Sequence, residues 1–543
     1  MKHTTVIAAN RFGLGARPGD LDIVDKNPRA WLLDQLQGPS RLPRDIRRLQ
    51  HSSNVLIEVQ ELRREERAMQ RAAGDEPSPD LVKKYGRTAR SHYVGQVAAR
   101  YRTAAASDFP FHERLVHFWS NHFAISADKQ PLPTIAGLFE NEAIRPNVAG
   151  KFADLLIAVE QHPAMILYLD NQRSAGPNSP LARRANRRRN NRDIGLNENL
   201  AREILELHTL GVDGGYTQED VTAFAKVITG WSIGGQGDNG RFADGEPGKF
   251  EFREIIHEPG AQTVLGKRYP QSDVSQGEAV LRDLAAQPAT ARFLATKLAR
   301  HFVADDPPAR LVDELASTYL ETDGDLGAVY EALVQADEPW RALHSKYKTP
   351  HDFVISTFRA FDHVPGNPRF IVNALDLMAQ TPFRPGSPEG WPDTAAQWGG
   401  ADGLYKRIEW SNTVARAVGS RARPVELGDA VLGPALSADT RKSISRAESE
   451  VQALTLLLAS PEFQRREAWS REGPYSGARV WAPSRRFCPV SCSPKPIRNR
   501  GLYSSSCAAR RTVSRLLHRM AIRTTRRFVE NWRCPLRATT VGC

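Results

Sequence analysis

NENLAREILELHTLGVDGGYTQEDVTAFAKVITGW, residues Asn197 to Trp231, decides the fold class. Apolar residues three and four apart fall on one face of an α-helix. Leu196, Leu200, Ile204, Leu207 and Gly211 keep that spacing, so the run predicts a helix over 196–210 with one buried stripe. Gly211 to Tyr216 reads as a tight turn. Thr217, with Asp220 three residues on, has the form of a capping box and opens a second helix reaching Ile228. Two amphipathic helices joined by a short turn predict a mainly α protein.

The polar face of the first helix is the main candidate for chemistry. Glu198, Arg202 and Glu206 follow one another at i, i+4, so Arg202 is expected to bridge both carboxylates and to be buried between them. Asn199, Glu203 and Glu206 lie near one face. His208 stands about 200° around the helix from Glu206, so one straight helix cannot aim both at a metal ion. A metal would need a second element such as His122 or His257, and no metal is expected. Two readings stay open: a structural polar face with His208 at the helix C-terminus, or a catalytic set of Glu203, Glu206 and His208.

Outward from this run the helical pattern continues. Arg11 to Asp20 (RFGLGARPGD) is a loop before a helix near Leu21–Leu36, and its third fingerprint position is Pro18, so it is no phosphate cradle. Helices are expected over 44–71, 82–106 and 111–123, then within 152–170 either two short ones split by Pro163 or one helix kinked there. Residues 171–195 read as a solvated loop with an arginine cluster at Arg183–Arg192. A small β-hairpin is expected at about 248–270, with Phe250, Phe252 and Ile255 facing Thr263–Leu265 across a turn at Glu258-Pro259-Gly260. Amphipathic helices return over 275–360, a Pro/Gly/Trp-rich loop fills 382–403, and a last helix covers 453–463. The segments 115–123 and 294–302 share a His-Phe ending, too little to define a repeat. The expectation is a large multi-helix body over 1–466 with a small hairpin insertion.

Charge and cysteine separate the remaining residues from this body. The net charge is +12, yet 16 of the 74 basic residues and three of the 62 acidic ones fall in 467–543, which leaves 58 and 59 for residues 1–466. A body without excess cation has no means of releasing counterions from nucleic acid, so nucleic-acid binding by it is excluded on charge. Cys488, Cys492, Cys507, Cys534 and Cys543 also lie beyond 466, so the body has neither disulfides nor thiolate chemistry. Residues 467–543 are expected to be a disordered basic tail, the product of a frameshift or read-through. No apolar run reaches the eighteen or so residues of a membrane span, and no export signal is read, so a cytoplasmic location is expected.

Two near-motifs fail on geometry. His112-Glu113 with His117 is one residue too long for H-E-x-x-H, which turns the second histidine off the first one's face. Gly230-Trp231-Ser232-Ile233-Gly234 fits G-x-S-x-G, but a helix precedes it and a Gly-rich connection follows, the reverse of a nucleophile elbow.

The 197–231 run resembles the central signature of the domain of unknown function 1800 family. The RFGLGARPGD loop, the FWSNHF helix at Phe118–Phe123, the PAMILYLDN segment and the IIHEPGAQTVLG hairpin follow in the family's order, and the likeness covers about residues 5 to 465. It implies a helical fold and no settled activity, and any cofactor is unknown. Genes of a sulfatase-like family frequently lie next to it, and many members are exported. An Asp usually follows the hairpin histidine in the family. Glu258 stands there in this chain, which argues against a metal on His257. The first functional reading is a non-catalytic scaffold or partner for a sulfatase-like protein encoded nearby. The second is a hydrolase-type enzyme built from the 197–211 helix with His122 and His257. Candidate binding residues are Asn121, His122, Asn197, Asn199, Arg202, Asp220, Trp231 and His257.

If the body is complete at Arg466, a chain ending there should unfold at the same temperature as the full chain. It should also lose any salt-sensitive DNA binding the full chain shows. A midpoint lower by several degrees, or DNA binding kept by residues 1–466, would place the boundary elsewhere.

Overall fold

Proline and short polar side chains set most of the helix starts. Pro28, Pro110, Pro163, Pro288, Pro350, Pro424 and Pro461 each open a helix, where the missing N–H costs nothing. Thr217 and Asp220 form the expected capping box, and Thr349 with Asp352 forms another. The computed structural model describes residues 1–73, 79–187, 195–235, 244–341 and 346–466. The expected disordered tail, and the Arg188–Arg192 part of the arginine cluster, lie outside the described residues. Within the described residues the chain is mainly α, with four short strands in two hairpins. No described helix is long and apolar enough to cross a membrane.

Several boundaries differ from the sequence reading, each for a local reason. The helix expected over 21–36 is two, Asp20–Val24 and Pro28–Leu33, because Pro28 begins a new one. The loop 171–195 contains a helix at Pro180–Arg187. The single hairpin at 248–270 is replaced by two. Strand β1 (Trp231–Ile233) pairs antiparallel with β2 (Phe250–Phe252), while β3 (Gln262–Val264) pairs with β4 (Lys267–Tyr269). The turn between β3 and β4 is Leu265-Gly266, both left-handed at φ 49° and 73°, the conformation a two-residue hairpin demands. Glu258-Pro259-Gly260 is therefore a connection between the hairpins.

The deciding run folds as two helices, yet the first is not a plain α-helix. It is α over Asn199–Glu203 and widens to a π-helix over Ile204–Thr209, where the Leu210 amide reaches back five residues to the Leu205 carbonyl. One extra residue per turn moves the inward stripe. Leu205, His208 and Thr209 are buried beside Leu200 and Ile204, whereas Leu207 is only half-buried. The expected ladder is also corrected. Arg202 is 40% exposed, pairs with Glu198 at 3.2 Å and bonds the Gln218 amide oxygen rather than Glu206. Glu206 instead accepts from the Tyr216 hydroxyl at 3.4 Å.

The apolar core is continuous from Val6 to Phe463. One buried ionic cluster ties its distant parts together. Asp352, at the start of helix Pro350–Ala360, accepts from Arg114 at 3.0 Å and from Arg466 Nε at 3.0 Å. Arg114 also donates to the Gly13 carbonyl, and Arg466 to the His301 carbonyl. Burial alone would raise the Asp352 pKa, but the two guanidiniums hold it well below the carboxylate range. Breaking a buried pair from one side leaves charges without partners. Asp352→Asn should therefore cost about 3–5 kcal/mol in chemical denaturation, against under about 1 kcal/mol for the exposed Asp402→Asn.

Candidate active site

The candidate residues read from sequence do not converge on one pocket. Asp220 completes the capping box and accepts the Leu265 amide at 2.7 Å. Trp231 is fully buried in β1 against the edge of Phe250. Asn197 donates to the Leu169 carbonyl at 2.8 Å and accepts the Asn199 amide at 3.0 Å. His257 is buried with Nδ1 on the Thr229 carbonyl at 2.8 Å, while Glu258 binds the Asn178 backbone and side chain. Ser232, in the G-x-S-x-G run, accepts from Arg253 inside a strand. His208 lies in the last turn of the helix. It is buried, with Nδ1 2.8 Å from Glu160 Oε1. Glu203 is half-buried, makes no hydrogen bond to a described residue, and has its pKa raised by burial.

Two candidates, Asn121 and His122, line a cavity of about 610 Å³ formed largely by residues the sequence reading passed over. Its walls are the C-terminal ends of helices Pro110–His122 and Pro288–Phe302, the start of helix Pro350–Ala360, and the loop 382–394. Asn121 clamps that loop, donating to the Trp391 carbonyl at 2.9 Å and accepting the Trp391 amide at 2.8 Å. The approach is so close that a Cβ on Gly390, at φ +88°, would lie 2.3 Å from the Asn121 carbonyl oxygen. The clamp delivers Asp393, two residues on, to His301.

Four histidines line the cavity, and their partners determine where each proton sits. Asp393 Oδ2 lies 2.5 Å from His301 Nδ1, so Nδ1 carries the proton and Nε2 presents a bare lone pair. His122 Nε2 donates to the His208 carbonyl at 3.1 Å, which leaves its Nδ1 bare. The Tyr101 hydroxyl, kept protonated by burial, has His351 Nδ1 at 2.5 Å as its partner. His351 Nε2 then donates to His117 Nδ1 at 3.0 Å, so His117 Nε2 bears a proton. The free nitrogens of His117, His122 and His301 are all buried without a hydrogen-bond partner among the described residues. Among the described residues, the cavity wall thus carries two unpartnered neutral bases and one unpartnered N–H donor. No three His, Cys, Asp or Glu of the described residues are grouped to hold a metal ion.

The charged groups around them are mostly spoken for. Asp393 is also within 3.6 Å of Lys346 and 3.7 Å of Arg466. Burial opposes its ionisation, but His301 and Lys346 override that and hold its pKa low. Arg100 pairs with Glu140 at 3.0 Å. The hints of this site in the sequence were the candidates Asn121 and His122 and the shared His-Phe ending, which places His122 and His301 at matching helix ends on one cavity.

Fold and cavity together define a helical protein with a buried, histidine-lined pocket. The chain belongs to the family described as Protein of unknown function (DUF1800), whose model matches residues 7–465. No curated protein and no solved structure matches the chain.

Burial pushes the pKa of His117, His122, His301 and His351 below the imidazole value of 6.5, His301 to about 4. The fold stabilises the neutral rings, so this contribution is complete above 6.5 and is lost as pH falls toward the folded values. In that window the unfolded chain binds more protons. Melts at pH 7, 6 and 5 should show a steadily falling midpoint, and His122→Asn should flatten the slope. A midpoint that stays level from pH 7 to 5 would contradict the neutral assignment.

Proposed function

We propose that the cavity is the active site of a hydrolase-type enzyme with His301 as general base and Asp393 as its orienting partner. The observation that carries this is the dyad itself: an imidazole in the cavity wall, fixed by a carboxylate on one nitrogen, whose other nitrogen keeps a lone pair with no partner among the described residues. His301 Nε2 takes a proton from the attacking water as its oxygen bonds to the electrophilic centre. The bond to the leaving group breaks, and the same proton passes to that group. Asp393 stabilises the imidazolium formed in between. The His117 N–H, which has no partner among the described residues, is the donor assigned to negative charge growing on the electrophile's oxygen.

This reading departs from a scaffold for a sulfatase-like partner, because a scaffold has no use for a buried base without a partner. It also moves the chemistry away from Glu203, Glu206 and His208. His208 enters indirectly, since its carbonyl sets the His122 tautomer.

A panel of phosphate, sulfate and carboxylate esters offered to the full chain should reveal a turnover. His301→Asn should lower it by about 10²–10⁴-fold with an unchanged melting temperature. Its acid limb should lie near 4, where His301 titrates. Turnover that survives His301→Asn rejects the assignment.

A further inference from the structure

We infer that the ligand of this cavity carries an oxyanionic group, held by Lys297 and Arg300 beside His301. The inference rests on the same cavity as the proposed function and names its substrate class.

Charge balance points there. The buried carboxylates at the site already have cations: Asp352 has Arg114 and Arg466, Asp393 has Lys346 and Arg466, and Glu140 has Arg100. Lys297 is left over. It lines the cavity half-buried, touches the Phe293 ring at 5.3 Å, and makes no ion pair or hydrogen bond with a described residue. Glu389 lies exposed on the same rim without reaching ion-pair distance. Burial draws the Lys297 pKa down to about 8, against the field of Glu389, so the ammonium still predominates at neutral pH. A cation held partly out of water without an acceptor is a cost that an anionic ligand removes.

Position on the helix adds the second argument. Lys297, Arg300 and His301 follow one another at i, i+3 and i+4 on helix Pro288–Phe302, so they share a face, and all three line the cavity. Arg300 is exposed, donates Nε to the Asp305 carbonyl at 3.2 Å and pairs with no described carboxylate. An oxyanion held by Lys297 and Arg300 is therefore bound on the helix face that also carries His301. His122, whose Nδ1 has no partner among the described residues, lines the same cavity. A cavity of about 610 Å³ suits a small metabolite rather than a polymer.

Inorganic phosphate is the first probe and acetate the second, separating a tetrahedral oxyanion from a carboxylate. Titrated into the full chain, at least one of them should shift the ring resonances of His122 and His301 saturably. Lys297→Met should weaken that binding by roughly tenfold or more, as loss of a charge-assisted contact does. Lys297→Arg, which keeps the charge, should retain most of it, and His301→Asn should still bind. Because every variant keeps residues 467–543, their positive charge cancels from the comparison. Binding that is equal in Lys297→Met and wild type overturns the inference, as does saturation by either anion without any change at the two rings. If His301→Asn binds phosphate normally yet keeps its turnover, the catalytic assignment fails and the anion site stands. If it loses turnover while binding ignores Lys297, the anion inference fails alone.

Discussion

A carboxylate with no access to water must be matched by cations, and Asp352 is the point where this protein meets that demand. Its two oxygens are divided between Arg114 and Arg466, which come from helix Pro110–His122 and from the end of the described chain. Each guanidinium has donors to spare, and uses them on the Gly13 and His301 carbonyls. Five regions remote in sequence, around Gly13, Arg114, His301, Asp352 and Arg466, are thereby held at one place. Hydrophobic packing is tolerant of small shifts, whereas a desolvated ion pair is not. The cluster consequently gives the core a fixed geometry, and all three charged residues also form part of the cavity wall.

The cavity shows how a rigid helical frame supports a loop that carries chemistry. Residues 382–394 contain almost no regular structure, yet Asp393 is held to His301 within a hydrogen bond. Asn121 grips Trp391 at both its amide and carbonyl, and Lys346 donates to the Asp393 carbonyl at 2.5 Å. Asp305 accepts the Ala395 amide just beyond, so the loop is pinned on both sides of the carboxylate. A loop so tethered supplies a directed functional group without the spacing rules of a helix or strand.

Burial also divides the histidines by role. A neutral imidazole is either a donor or an acceptor at its free nitrogen, and the partner on the other nitrogen decides which. A carboxylate beside His301 and a carbonyl beside His122 produce acceptors, while the Tyr101–His351 chain makes His117 a donor. The same side chain thus offers opposite chemistry at points around one cavity.

The sequence by itself determined the helical class, the capping box at Thr217, the interruption at Pro163 and the near-neutral charge of residues 1–466. All of these depend on residues close in the chain or on simple counts. The π-helical turn at Ile204–Thr209 was not legible, because the 196–211 spacing suits an α-helix and only packing of Leu205 and His208 selects the wider turn. The pairing of β1 with β2 escaped for a similar reason, since 231 and 252 meet across a long excursion. Most of the cavity was equally hidden. Asp393 and His301 are 92 residues apart, and His117 and His351 are 234 apart. Periodicity and motif spacing report only on neighbours along the chain. Which distant charges and rings share one desolvated space is decided by tertiary packing, because only there must each buried group find its partner.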